Sequence, residues 1–187
     1  MSPREENIIE ASIRLFMRYG VKRTSMNDIA TEAGIARQTL YNAFSNKDAV
    51  LQATIRLMAD RAIAGMEKGL KGKTNLGDQL DVVFKHIAIE SFDLLDASPN
   101  SEDIVAGFNA SSQNELAVAA KRNKAVLAQI LEPYSEEIMT SGLTLDQFSD
   151  FVERSAHSAK YNAGSRKHLL SLLAALKIAV LKVTGAH

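Results

Sequence analysis

The chain has 187 residues, of which 46% are hydrophobic and 24% charged, with 22 basic side chains, 22 acidic ones and no cysteine. That length suits one domain or two small ones, and the ordinary composition excludes wholesale disorder and fibrous repeats. Zero net charge argues against a nonspecific nucleic-acid coat, and the lack of cysteine excludes a disulfide framework, a thiolate metal site and a cysteine nucleophile.

In chain order, the first apolar pattern covers about residues 4–19, with Ile8, Ile9, Ala11, Ile13, Leu15, Phe16 and Tyr19 on one broad stripe and Gly20 placed to end the helix. A short second helix should begin at Ser25, which can cap it in a Ser-x-x-Asp pattern with Asp28, and close at Gly34. The third, about 37–44, turns Leu40 and Phe44 inward and leaves Arg37, Gln38, Thr39, Tyr41 and Asn42 outward. Two short helices joined through a glycine-containing turn, and braced by a longer one, form a helix-turn-helix outline.

Asn46 then caps a longer helix over about 47–68, followed by a loop at 71–77. Further helices are expected over 77–95, 101–110, 113–140, 144–163 and 166–183, with Pro133 splitting or kinking the one from 113. No strand is needed, so the expected class is all-α. The polar start, Met1-Ser-Pro-Arg-Glu-Glu, and the absence of a long apolar run predict a soluble cytoplasmic chain with no signal peptide and no membrane span.

The segment Thr24-Ser-Met-Asn-Asp-Ile-Ala-Thr-Glu-Ala-Gly-Ile-Ala-Arg-Gln-Thr-Leu-Tyr-Asn-Ala-Phe-Ser-Asn-Lys-Asp-Ala-Val-Leu51 resembles the DNA-binding signature of the TetR/AcrR family of transcriptional regulators. Asp28-Ile29-Ala30, Ala33-Gly34-Ile35, Thr39-Leu40-Tyr41, Phe44, Lys47 and Leu51 carry the match in register, and the resemblance covers about the first 51 residues. Chemistry assigns Arg37 to a guanine edge and Gln38 to an adenine edge, from the first turn of a helix that fits the major groove. The resemblance implies phosphate contacts for Tyr41, for Lys47 and for Thr24 or Ser25, while Asn42 reads adenine or bonds a phosphate and Thr39 lies among the base-facing positions. Ala36 departs from the pattern by offering no side-chain cap to the recognition helix, and Ala43 removes one possible DNA contact. The bland alternatives are a solvated charge for Arg37 and an amphipathic core edge for Tyr41.

The resemblance also implies the architecture: an N-terminal three-helix helix-turn-helix domain over 1–47, then a larger helical-bundle ligand-binding and dimerisation domain over 48–187. Its partners would be double-stranded operator DNA, an unknown small-molecule effector and a second copy of the chain. Met58, Phe84, Ile87, Phe108 and Leu127 are candidate effector-lining residues, with plain core as their alternative. Twelve of residues 166–183 are apolar and lie nearly all round the helix, which suggests a second buried face against another subunit. Phe148, Val152, Leu169, Leu173, Leu176 and Val180 are the candidates for that interface.

Residues 78–115 hold eight acids against Lys85 alone, a weak hint of a cationic effector or a solvated acidic face, and Lys121, Arg122 and Lys124 could serve an anionic one. Glu153 and His157, four residues apart, are read as a solvated ion pair rather than a metal site. No phosphate loop, dinucleotide glycine motif or His-Glu-x-x-His is present, and no cofactor or metal is expected. Two rivals remain: a helical interaction protein that keeps the N-terminal module as a scaffold, and a small helical enzyme or metal-binding bundle.

Overall fold

A computed structural model describes residues 1–100 and 109–186, and every secondary-structure element among them is helical, with no strand. The elements are α1 (Pro3–Tyr19), α2 (Met26–Glu32), α3 (Arg37–Ala43), α4 (Lys47–Leu70), α5 (Leu76–Phe84), a π-helical turn (Lys85–Ile89), α6 (Glu90–Asp96), α7 (Ala110–Leu131), a 3-10 turn (Glu132–Tyr134), α8 (Ser135–Thr140), α9 (Leu145–Asn162) and α10 (Arg166–Thr184). Residues 101–108 of the helix expected over 101–110, the candidate Phe108 among them, lie outside the described residues, and Ala110 begins α7. Local chemistry sets the boundaries. Ser2 with Glu5, Ser25 with Asp28 and Thr144 with Gln147 form reciprocal capping boxes, and Asn75 and Ser165 each accept an amide of the turn they open. Gly34, at φ 66°, holds the left-handed conformation on which the turn between α2 and α3 depends.

The chain divides into two compact units, one of residues 1–59 and 95–118, the other of 60–94 and 119–187. In the first, Ile8, Leu15, Phe16, Met26, Ile29 and Leu40 pack with Val50, Leu51 and Ile55. The first turns of α4 therefore belong to this core, and the unit extends beyond residue 47 for that reason. Ser98 Oγ donates to the Met17 carbonyl at 2.6 Å and Asn100 Nδ2 to the Arg18 carbonyl at 2.8 Å, so this segment satisfies carbonyls that the end of α1 leaves free.

The second unit is built on Met66, Leu76, Leu80, Val83, Phe84, Ile87, Leu127, Leu131, Ile138 and their neighbours. Phe84, Ile87 and Leu127, expected to line an effector pocket, are core side chains within this cluster, while Met58 is half-buried in the first unit. Phe148, Val152, Leu169, Leu173 and Val180 are also interior, each at most 4% exposed, and Leu176 is half-buried. The expected interface residues are thus mostly the unit's own core. A helix that is apolar all round has no wet face to reveal which side turns inward. The large apolar side chains that α9 and α10 present outward are Phe151, Tyr161, Leu170, Leu172 and Ile178.

Pro133 falls in the 3-10 turn that separates α7 from α8, in line with the expected split. Part of the acidic stretch is paired. Among the described residues, Lys177 pairs with Asp81 at 2.6 Å, Arg166 with Asp93 at 2.8 Å and Arg56 with Glu115 at 3.2 Å, so bases distant in sequence offset three of its acids. Arg122 and Lys124 bond Asp60 and Asp146, each at 2.7 Å, which already occupies them.

Glu153 contradicts the solvated reading of α9: its side chain is 5% exposed and Oε1 has no hydrogen-bond partner. Burial raises its pKa above the usual carboxylate value, and Nδ1 of His157 lies 3.9 Å away, beyond a hydrogen bond.

Candidate nucleic-acid interface

Leu40 is fully buried and anchors α3, which fixes the opposite face of this two-turn helix outward. Arg37, Gln38, Tyr41 and Asn42 are exposed there and Thr39 is half-buried. The four exposed residues form two braces, each spanning one helical turn. The Arg37 guanidinium carbon lies 5.4 Å from the centre of the Tyr41 ring, and its Nη2 donates to Tyr41 Oη at 3.5 Å. Gln38 Nε2 donates to Asn42 Oδ1 at 2.9 Å. One face therefore offers a guanidinium fork, which suits guanine O6 and N7, beside a carboxamide pair, which suits adenine N6 and N7. As the sequence indicates, Ala36 provides no side-chain cap.

The other expected contacts have internal work. Thr24 is buried, and its hydroxyl donates to the Gly20 carbonyl at 2.8 Å. Ser25 is exposed, but its oxygen accepts the Asp28 amide and its hydroxyl donates to Asp28 Oδ2 at 2.7 Å. These bonds hold the Asp28 carboxyl below its ordinary pKa.

Lys47, for which a phosphate contact is implied, aims Nζ at three main-chain carbonyls: Val21 at 2.8 Å, Thr24 at 2.9 Å and Lys22 at 3.3 Å. An ammonium group has three protons, so this geometry accounts for all of them. Lys47 clamps the turn between α1 and α2 from the start of α4. A lysine reads alike whether it meets a phosphate or a carbonyl, so the sequence could not disclose this. Arg14 with Glu32 at 2.7 Å, and Asn7 Nδ2 to the Ala33 carbonyl at 2.9 Å, tie α1 to the far end of α2. Arg23, exposed in the clamped turn, is a base that the motif reading passed over.

Comparison with known proteins agrees with this geometry. Residues 8–54 match the family described as bacterial regulatory proteins, tetR family. The nicotine-responsive transcriptional repressor HdnoR of Paenarthrobacter nicotinovorans is 28% identical over 120 residues, which are 64% of this chain and 56% of that protein. The fatty acid metabolism regulator protein of Bacillus subtilis is 28% identical over 88 residues, 46% of this chain and 45% of the relative. The chain thus spans about half the length of these curated relatives. Among solved structures, the fatty acid degradation regulator FadR of Bacillus halodurans superposes with a TM-score of 0.73 at 18% identity, covering 97% of this chain and 96% of that one. FadR of Bacillus subtilis, solved in complex with stearoyl-CoA, gives 0.69 at 22% identity, over 97% and 99%. These two likenesses extend the shared fold across both units. Residues 8–54 carry the helix-turn-helix module of the bacterial regulatory proteins of the tetR family, and beyond them the likeness to known proteins is one of fold.

Proposed function

We propose that this chain is a sequence-specific transcriptional repressor that binds operator DNA as a homodimer and responds to a small molecule held in its second unit. The observation that carries the reading is the exposed face of α3, where Arg37 braced on Tyr41 and Gln38 braced on Asn42 stand free of the core. Such side chains read base edges, whereas a scaffold helix has no use for two ordered polar pairs turned to solvent. Work on DNA places the chain in the cytoplasm, and no described helix is long and apolar enough to cross a membrane.

Homodimerisation draws support from α9 and α10. Phe151 is 56% exposed and Leu172 38%, and both line a groove of about 720 Å³ with Asp150, Arg154, Leu173 and Leu176. Two such helical hairpins packed about a twofold axis make a four-helix interface. A dimer of this kind presents two recognition helices to half-sites about 34–36 Å apart, or to multiples of that spacing. The effector belongs among the middle helices, where Phe84, Ile87 and Leu127 are packed together, so a ligand that reaches them displaces core contacts. HdnoR is named as nicotine-responsive and one FadR structure holds stearoyl-CoA, so relatives of this chain take dissimilar ligands.

Selection of bound duplexes from a random library, with the intact chain at near-physiological salt, tests the reading. An enriched inverted repeat supports it. A folded protein that enriches nothing overturns it in favour of a helical interaction protein.

A further inference from the structure

Gln38 and Asn42 lie one turn apart on the exposed face of α3, joined by the 2.9 Å bond from Gln38 Nε2 to Asn42 Oδ1. A glutamine carboxamide has two N–H groups and one carbonyl, and its last torsion has broad, roughly twofold minima that interchange the two ends. Unbraced on a helix surface, it offers a donor and an acceptor in either order. In the arrangement observed, the Asn42 carbonyl faces Gln38 and accepts from its Nε2, which sets one order. With one Nε2 proton spent on Asn42, the other proton and Oε1 remain. That donor and acceptor pair is the complement of adenine N7 and N6–H2 in the major groove.

We propose that Asn42 is a positioning residue that fixes the Gln38 carboxamide in the adenine-reading order, so that the two act as one reader of an A·T base pair. Gln38 touches the base and Asn42 acts through it. Arg37 is drawn instead to Tyr41, 5.4 Å from guanidinium carbon to ring centre, which leaves the carboxamide pair to itself. Both residues of the pair are exposed, so replacing either leaves the Leu40 anchor intact.

This inference rests on the DNA-reading function proposed above, and its test separates the two. Duplex selection is run on the intact wild-type chain and on Gln38→Ala, Asn42→Ala and Asn42→Asp. The wild type is expected to fix an A·T pair at one position of each half-site, and Gln38→Ala to lose that preference by about fivefold or more. Asn42→Ala should relax the same position and no other. Asn42→Asp keeps the acceptor, so it should retain the base ranking and weaken binding to all duplexes, because its charge repels phosphate. The inference is overturned if Asn42→Ala keeps the wild-type ranking while Gln38→Ala loses it. It is equally overturned if Asn42→Ala relaxes a different base pair, since Asn42 then reads a base itself. A wild type that selects no motif refutes the DNA-reading function, and this inference with it.

Discussion

Replacing Gly65 in the middle of α4 by alanine sets two effects of opposite sign against each other. On an open helix surface the change would stabilise by about 1 kcal/mol, since glycine is a poor helix former. Here the new Cβ would lie 2.5 Å from Cε1 of His86, 2.9 Å from Nε2 and 3.0 Å from Nδ1. The imidazole cannot simply step aside. Its side chain is 12% exposed, and Nδ1 bonds Glu90 Oε2 at 2.8 Å across the π-helical turn. Overpacking of this kind costs about 1–3 kcal/mol, and straining a hydrogen bond adds about 0.5–1.5 kcal/mol. The net expectation for Gly65→Ala is therefore a loss of about 0.5–3.5 kcal/mol. In a His86→Ala background the clash is gone, and the same replacement should gain about 1 kcal/mol. Urea denaturation of the four proteins gives the coupling between the sites, expected at about 1.5–4.5 kcal/mol. A Gly65→Ala protein as stable as the wild type with His86 in place would refute the close approach on which the argument depends.

Three further outcomes follow from the geometry. Lys47→Met, which keeps most of the stem but removes three bonds to carbonyls, should destabilise the protein by about 2 kcal/mol in denaturant melts. Unchanged stability with a loss confined to DNA affinity would reassign this lysine to phosphate. His157 is held at a pKa of about 4 by burial and by the nearby charge of Lys160, so the fold favours its neutral form. That stability is complete above the ordinary value of 6.5 and declines as pH falls toward 4, on the order of 2 kcal/mol given the partial exposure of the ring. His157→Gln should flatten melting temperature against pH across that window, and parallel curves for the two proteins would refute the assignment. Finally, Phe151→Glu with Leu172→Glu should leave the circular dichroism intact and convert a dimer to a monomer in sedimentation, while a surviving dimer would move the interface elsewhere.

The capped helices were legible in the sequence because their signals are local. Ser25 with Asp28 opens α2, Gly34 supplies the turn after it, and Pro133 splits the long helical pattern where the structure breaks it. The outward face of α3 was legible for the same reason, since the buried Leu40 fixes the rest of a two-turn helix. What failed depends on contacts distant in sequence. Thr24 and Lys47 have the chemistry of phosphate ligands, and only the fold shows their protons directed to carbonyls. Glu153 and His157 stand on a polar stripe that reads as wet, but packing covers the carboxyl. The π-helical turn at Lys85–Ile89 lies within the helix expected over 77–95, where apolar spacings of three and four do not single it out.

The central claim is that the face of α3 reads a DNA sequence. Its most direct test is the binding of the intact wild-type chain to its selected duplex and to a scrambled duplex of equal length and composition, across a range of salt. The account predicts that the selected duplex binds about a thousandfold or more tightly than the scrambled one at physiological salt, that two chains bind per duplex, and that affinity falls as salt rises. Equal affinity for the two duplexes, from a folded protein, would contradict it.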